Sequence, residues 1–197
     1  MSKRVSLAFR AILSTFLFSN ALFAQFGFGF GVGVKGGVPF TDLLGATGTI
    51  NGVPSTSVTR SNEYLIGPAV ELRIPLGFAF EVDGLYRGAD YDFRTGNSAV
   101  SATASPWEIP YLAKFRFPIP LLKPFIEGGG AYRTFSSLPP NITPTHNALV
   151  LGAGLELRIS RLRLSGGARY LHWNGSSVNT VAKLSQNQGE VLFGIMF

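Results

Sequence analysis

The sequence predicts an all-β fold: an eight-stranded antiparallel up-and-down transmembrane β-barrel, preceded by a cleavable signal peptide. Three observations predict it. Bulky residues alternate with small or polar ones in eight segments, as in strands with two chemically different faces. Within each segment all the charges share one phase. The connections alternate between short and long, the pattern of a barrel with tight turns on one side of a membrane and loops on the other.

Composition excludes the main alternatives. Of 197 residues, 46% are hydrophobic and 14% charged, with 24 Gly and 17 Phe, whereas an ordinary soluble domain carries about 25% charge. Beyond residue 34 no uncharged stretch is long and apolar enough to form a spanning helix. The net charge of +6 suggests nucleic acid only if Lys and Arg cluster. They are dispersed, so no nucleic-acid partner is expected. The absence of Cys excludes a disulfide scaffold, a zinc ribbon and thiol catalysis.

Residues 1–24 read as the signal peptide. Lys3, Arg4 and Arg10 precede an apolar run from Ala11 to Phe23. The run ends in Ala21-Leu22-Phe23-Ala24, and cleavage is expected after Ala24 or, failing that, after Ala21. A helical anchor is the alternative. It is opposed by the glycine at every second position from Gly27 onward, which serves a helix poorly. Loss of these three cations lowers the net charge from +6 to +3 and leaves residues 25–197 as the barrel.

In the first strand, FGFGFGVGV, Phe26, Phe28, Phe30, Val32 and Val34 alternate with Gly27, Gly29, Gly31 and Gly33. No helix start follows, so these glycines do not form a phosphate-binding loop. The remaining strands are expected at 64–74, 78–87, 107–117, 125–133, 151–159, 162–171 and 190–197. Most approach the roughly 9–11 residues with which a tilted strand crosses a bilayer. One phase carries Lys35, Glu71, Arg73, Glu81, Asp83, Arg87, Glu108, Lys114, Arg116, Glu127, Arg133, Glu156, Arg158, Arg163, Arg169 and Glu190. The other phase holds only apolar, aromatic, Gly or Pro residues. A cation on the lipid face at mid-membrane costs roughly 2–4 kcal/mol, so the charged phase is expected to face the lumen.

A soluble sandwich also alternates its faces, and the connections discriminate. They are short at 75–77, 118–124 and 160–161 and long after the first, third, fifth and seventh strands. An even strand number returns both chain ends to the short-turn side. Outward Tyr64, Tyr86, Trp107, Tyr132 and Tyr170 fall at the long-loop ends of their strands, and Phe26, Phe78, Phe117 and Phe197 at the short-turn ends, as two aromatic girdles would. Pro68 and Pro110 lie within strands and cannot donate to a ladder, which suggests bulges there.

Several stretches are similar to one family. GVKGGVPFTD (33–42), WEIPYLAKFRF (107–117), KPFIEGGGAYR (123–133), GARYLHW (167–173) and GEVLFGIMF (189–197) resemble the outer-membrane β-barrel domain proteins of Gram-negative bacteria, among them PorT-like and OmpA-like small barrels. The resemblance covers nearly the whole chain after the signal peptide. It implies an eight-stranded barrel in the bacterial outer membrane, often without a known activity. It also implies that Val191, Phe193, Ile195 and Phe197 form the C-terminal signal read by the barrel-assembly machinery. A proline at the position of Pro110 fits the family's pattern.

An eight-stranded lumen is just wide enough to be filled by side chains. Inward charges stay ionised there only if paired or hydrated, which suggests a structural salt-bridge plug, with a narrow gated pore as the alternative. Catalysis is the third reading. In RYLHWNGSS (169–177), His172 precedes Ser176 and Ser177, similar to the His-x-Ser-Asn stretch of lipid A deacylases. A His beside a Ser serves as base and nucleophile when an acid orients it. Here Asn174 stands where the Ser should be, no acid follows before Glu190, and His172 is on the outward phase. No catalytic residue, metal or cofactor is therefore assigned, and His146 reads as a loop residue. The polar loops near 43–62, 89–106, 134–147 and 174–188 are candidates for binding an extracellular ligand or for solvating the rim. The expected role is structural or surface-interacting, with outer-membrane lipid as the surrounding partner.

Overall fold

The computed structural model describes residues 28–41, 44–45, 47–50, 53–59, 63–95, 98–135, 146–174, 183–184 and 186–197. The expected signal peptide and its cleavage site at Ala24 lie outside these residues. The wall consists of β1 (Gly29–Pro39), β2 (Tyr64–Arg73), β3 (Phe78–Asp83, resuming past Gly84 as Leu85–Thr95), β4 (Pro106–Arg116), β5 (Leu122–Phe135), β6 (Asn147–Ile159), β7 (Leu162–Asn174) and β8 (Asn187–Met196). Each strand pairs antiparallel with its sequence neighbours, and β1 pairs with both β2 and β8, which closes the sheet.

Directly opposed residues lead around the wall from Gly29 through Arg73, Ala79, Lys114, Glu127, Gly152, Arg169 and Glu190 back to Pro39. The circuit rejoins β1 ten residues from its start, between Gly29 and Pro39, and this stagger gives the strands the tilt that closure requires.

The pleat separates two surfaces. Leu65, Ala69, Glu71, Leu112, Lys114, Val150, Leu171 and Trp173 are buried in the lumen, while Ile66, Val70, Phe80, Tyr111, Leu149, Leu155 and Phe193 project outward and are exposed. Three outward glycines are covered by rings from the adjacent strand. A Cβ at Gly88 would meet the Tyr64 ring at 2.7 Å, one at Gly166 would touch Phe193 at 3.5 Å, and Tyr111 lies over Gly130 in the same way. Aromatic rings gather at both ends. Tyr64, Tyr86 and Trp107 are linked at 6.4 and 5.5 Å near the long-loop rim, and Phe78, Phe115 and Phe117 at 4.9 and 5.2 Å near the short turns.

Three features differ from the sequence expectation. The β1 strand extends to Pro39, because Gly36-Gly37 interrupts the alternation of side chains without interrupting the ladder. Segments expected as loops form strands: beyond the wall, β3 pairs on one side with Val53–Thr59, itself paired with Thr47–Ile50, and on the other with Ser98–Ala104. Small Ser, Thr and Ala residues recur there, so no contrast between faces marks the strands.

The third difference concerns the prolines. There is no bulge at Pro68 or Pro110. The β2–β3 pairing holds one register from Arg73 opposite Ala79 to Tyr64 opposite Gly88, and β3–β4 does so from Phe78 opposite Phe115 to Tyr86 opposite Trp107. Instead the missing donors converge. Pro68 faces Gly84, whose N–H donates to the Pro68 carbonyl at 2.9 Å, and the unbroken register sets Pro110 opposite the adjoining Asp83. The β3 strand is interrupted at this point. The loss falls on one dipeptide instead of shifting the register.

Candidate functional site: the charged lumen

Among the described residues, buried polar chemistry is concentrated in the lumen. Glycines on one wall make the room. A Cβ at Gly31 would meet Nη2 of Arg163 at 2.6 Å and Nη2 of Arg73 at 3.1 Å, and one at Gly154 would lie 2.5 Å from the Phe125 ring. Large side chains of nearby strands fill that room, Phe125 lying directly opposite Gly154 and Arg73 coming from the β2 strand paired with β1.

At the centre, Glu71 on β2 directly opposes Glu81 on β3, and both are fully buried. Like charges in this position repel, and cations from other strands surround them. Lys114 donates to Glu81 at 2.7 Å and lies 3.9 Å from Glu71 and 3.4 Å from Glu127. Arg116 pairs with Glu71 and, at 2.9 Å, with Glu156; Arg163 pairs with Glu71 at 2.8 Å. Lys35 bonds to Glu81 and, at 3.2 Å, to Asp83. Arg169 spreads over Glu127, over Asp83 at 2.7 Å and over Glu81 at 2.9 Å, with Glu190 at 4.0 Å. Arg73, only partly buried, lies 3.6 Å from Glu71.

Above this layer the β4–β7 wall is apolar inside, with Leu112, Ala131, Ala148, Val150, Leu171 and Trp173 in one cluster. Nearer the long-loop mouth, Arg87 donates to Glu63, to Gln188 at 3.0 Å and to the Thr41 carbonyl at 2.8 Å, and lies 3.6 Å from Glu108. Arg133 is 3.7 Å from Glu108 and packs over Trp173 at 3.7 Å, while the Trp173 indole N–H donates to Gln188 at 2.8 Å.

Arg158 was expected in the lumen and is not there. It directly opposes Arg163, which holds the lumen position beside Glu71 and Glu156, and like charges this close separate. The Arg158 side chain is exposed, and its Nε donates to the Ser160 carbonyl at 3.2 Å. Glu63, absent from the sequence-derived set, is buried against Arg87. It lies one residue ahead of Tyr64, in the inward phase of β2, and extending that phase by one position would have found it. Counting Glu63 and the half-buried Arg73 and leaving out Arg158, the described lumen balances eight cations with eight anions.

His172 is exposed on the outer wall, with Nδ1 2.7 Å from the Asn187 Oδ1 that also accepts from Tyr170. Ser176 and Ser177 lie outside the described residues. His146 stacks on Tyr132 at 5.6 Å. Among the described residues, no group of three or more His, Asp or Glu side chains is placed to hold a metal.

No family model and no curated protein matches the sequence. The fold does have solved counterparts. The outer membrane protein OprG from Pseudomonas aeruginosa superposes with a TM-score of 0.59 over 86% of this chain and 95% of its own, at 13% sequence identity. The fold is that of an outer-membrane β-barrel. The apolar outer wall and the buried charge give it its physical sense, since a bilayer rewards the first and penalises charge anywhere but inside.

Proposed function

We propose that the chain works as a small integral protein of the bacterial outer membrane with a structural or surface-interaction role, its lumen closed by paired charge and without catalysis. The observation that carries this reading is the central layer. Lys35, Lys114, Arg116, Arg163 and Arg169 are all buried, and each contacts at least two carboxylates. An ion entering would have to break several such contacts at once, and removing one partner of a buried pair costs about 3–5 kcal/mol.

The outer wall supports lipid as the surrounding partner. Phe193, Ile195 and Phe197 project from it at alternate positions, in the form a barrel-assembly machinery would read. The strands rising past the wall are the surface on which an extracellular ligand would bind. The resemblance to PorT-like and OmpA-like small barrels belongs to the same reading.

Conductance in planar bilayers tests it. The expected record is flat at moderate voltage, and stable openings of porin size would overturn the plug. Lipid A from cells expressing the protein is expected to keep its mass; a deacylated species would restore the hydrolase reading.

A further inference from the structure

Exposed charge among the residues whose surroundings are described is one-sided. Every Asp and Glu among them is buried. The charged side chains that reach the surface are Arg158 and Arg161, exposed, and Arg73 and Lys123, half-buried. All of them sit at the short-turn end. Arg73 closes β2, Lys123 opens β5, and Arg158 and Arg161 flank the turn between β6 and β7.

The same end carries leucines where water disfavours them. Leu76 is 88% exposed with φ 67°, and Leu121 is 71% exposed with φ 68°. A bulky residue in the left-handed region is strained, and turn tips in water take Gly, Asn or Asp at such positions. The two turns are neighbours, because Phe78 after the first directly opposes Phe115 before the second. Exposed Ile119 and Leu122 flank Leu121, and Phe78, Phe115 and Phe117 continue the apolar surface into the outer wall.

We propose that the short-turn end is a collar for anionic phospholipid, going beyond the role assigned above to the lumen and the rim. The leucine tips enter the acyl region of the leaflet around the turns, and Lys123, Arg158 and Arg161 hold headgroup phosphates, Arg73 being turned inward to Glu71 and the Phe30 carbonyl. Apolar residues beside cations at a membrane boundary are what an anionic interface selects. Continuity with the lipid-facing wall favours a lipid over a soluble acidic partner, which would engage the cations and leave the leucines in water.

The test uses Leu121→Trp in a Trp107→Phe background, refolded into phosphatidylcholine vesicles doped with equal fractions of brominated phosphatidylglycerol or brominated phosphatidylcholine. Trp173, sealed in the lumen, gives a constant background. Expected is quenching roughly twofold greater with the anionic lipid at low salt, falling to parity at high salt and in Lys123→Gln/Arg158→Gln/Arg161→Gln. Equal quenching by both lipids at low salt would overturn the phosphate-holding role. Quenching by neither would overturn the collar altogether and point to a soluble partner. Heat-dependent gel mobility verifies folding, and Leu76→Trp gives the same readout should Leu121→Trp not fold.

Discussion

Glu71 and Glu81 stand directly opposite each other on adjacent strands, both fully buried, with Lys114 contacting both. A repulsive cross-strand pair is thus the nucleus of the lumen, and the cations around it hold it together. Lys114→Met should therefore cost more than Glu81→Gln, because it leaves two facing carboxylates without their shared partner. Losses of about 3–5 kcal/mol are expected for Lys114→Met. Lys114→Met/Glu81→Gln should recover part of that loss. Urea unfolding in lipid vesicles, analysed as a double-mutant cycle, measures the coupling; additive losses would mean that the pair is not a unit.

The closing seam between β1 and β8 makes a second prediction. A Cβ at Gly33 would run into the Ile195 carbonyl oxygen, and one at Gly37 into that of Val191. Neither obstacle is a flexible side chain. Gly33→Ala and Gly37→Ala should each weaken closure, whereas Gly36→Ala, whose nearest neighbour would be the Leu65 carbonyl oxygen at 3.6 Å, should be tolerated. The readout is the gel-mobility difference between boiled and unboiled protein, expected for the parent and Gly36→Ala and reduced for the other two.

The outer wall makes a third. Leu155 is 47% exposed on β6, in the outward phase. Leu155→Arg should lower folding stability in vesicles by roughly 2–4 kcal/mol, whereas Ser137→Arg in the polar connection between β5 and β6 should leave it unchanged. An indifferent Leu155→Arg would mean that this face does not meet lipid.

Much of this architecture was legible because bilayer physics writes a strict code. Strand number, phase and the two girdles follow from where charge is forbidden, and Glu71, Lys114 and Arg169 could be assigned to one surface from spacing alone. Their pairing could not. Which cation meets which carboxylate depends on the ten-residue stagger that brings Lys35 of β1 across to Asp83 of β3, and alternation carries no information about stagger. Arg158 was misplaced for a related reason: phase says which way a side chain starts, and the opposing Arg163 turns it away. The strands Val53–Thr59 and Ser98–Ala104 were illegible because no bilayer imposes two faces on them.

Arg87 makes the last prediction. It binds Thr41, just beyond the end of β1, and Glu63, just before the start of β2, so one side chain ties down both ends of the first long connection. Its bond to Gln188 joins that connection to β8. Arg87→Lys keeps the charge and loses the forked geometry that reaches several acceptors at once. It should therefore loosen the mouth without unfolding the wall. Trypsin cleavage after Arg60 should accelerate in Arg87→Lys and more in Arg87→Ala, while heat-dependent mobility stays that of the parent. Conductance should stay flat in both, since the Glu71–Glu81 layer lies deeper in the lumen and does not use Arg87. Stable channels in Arg87→Ala would place the seal at the mouth instead of in that layer.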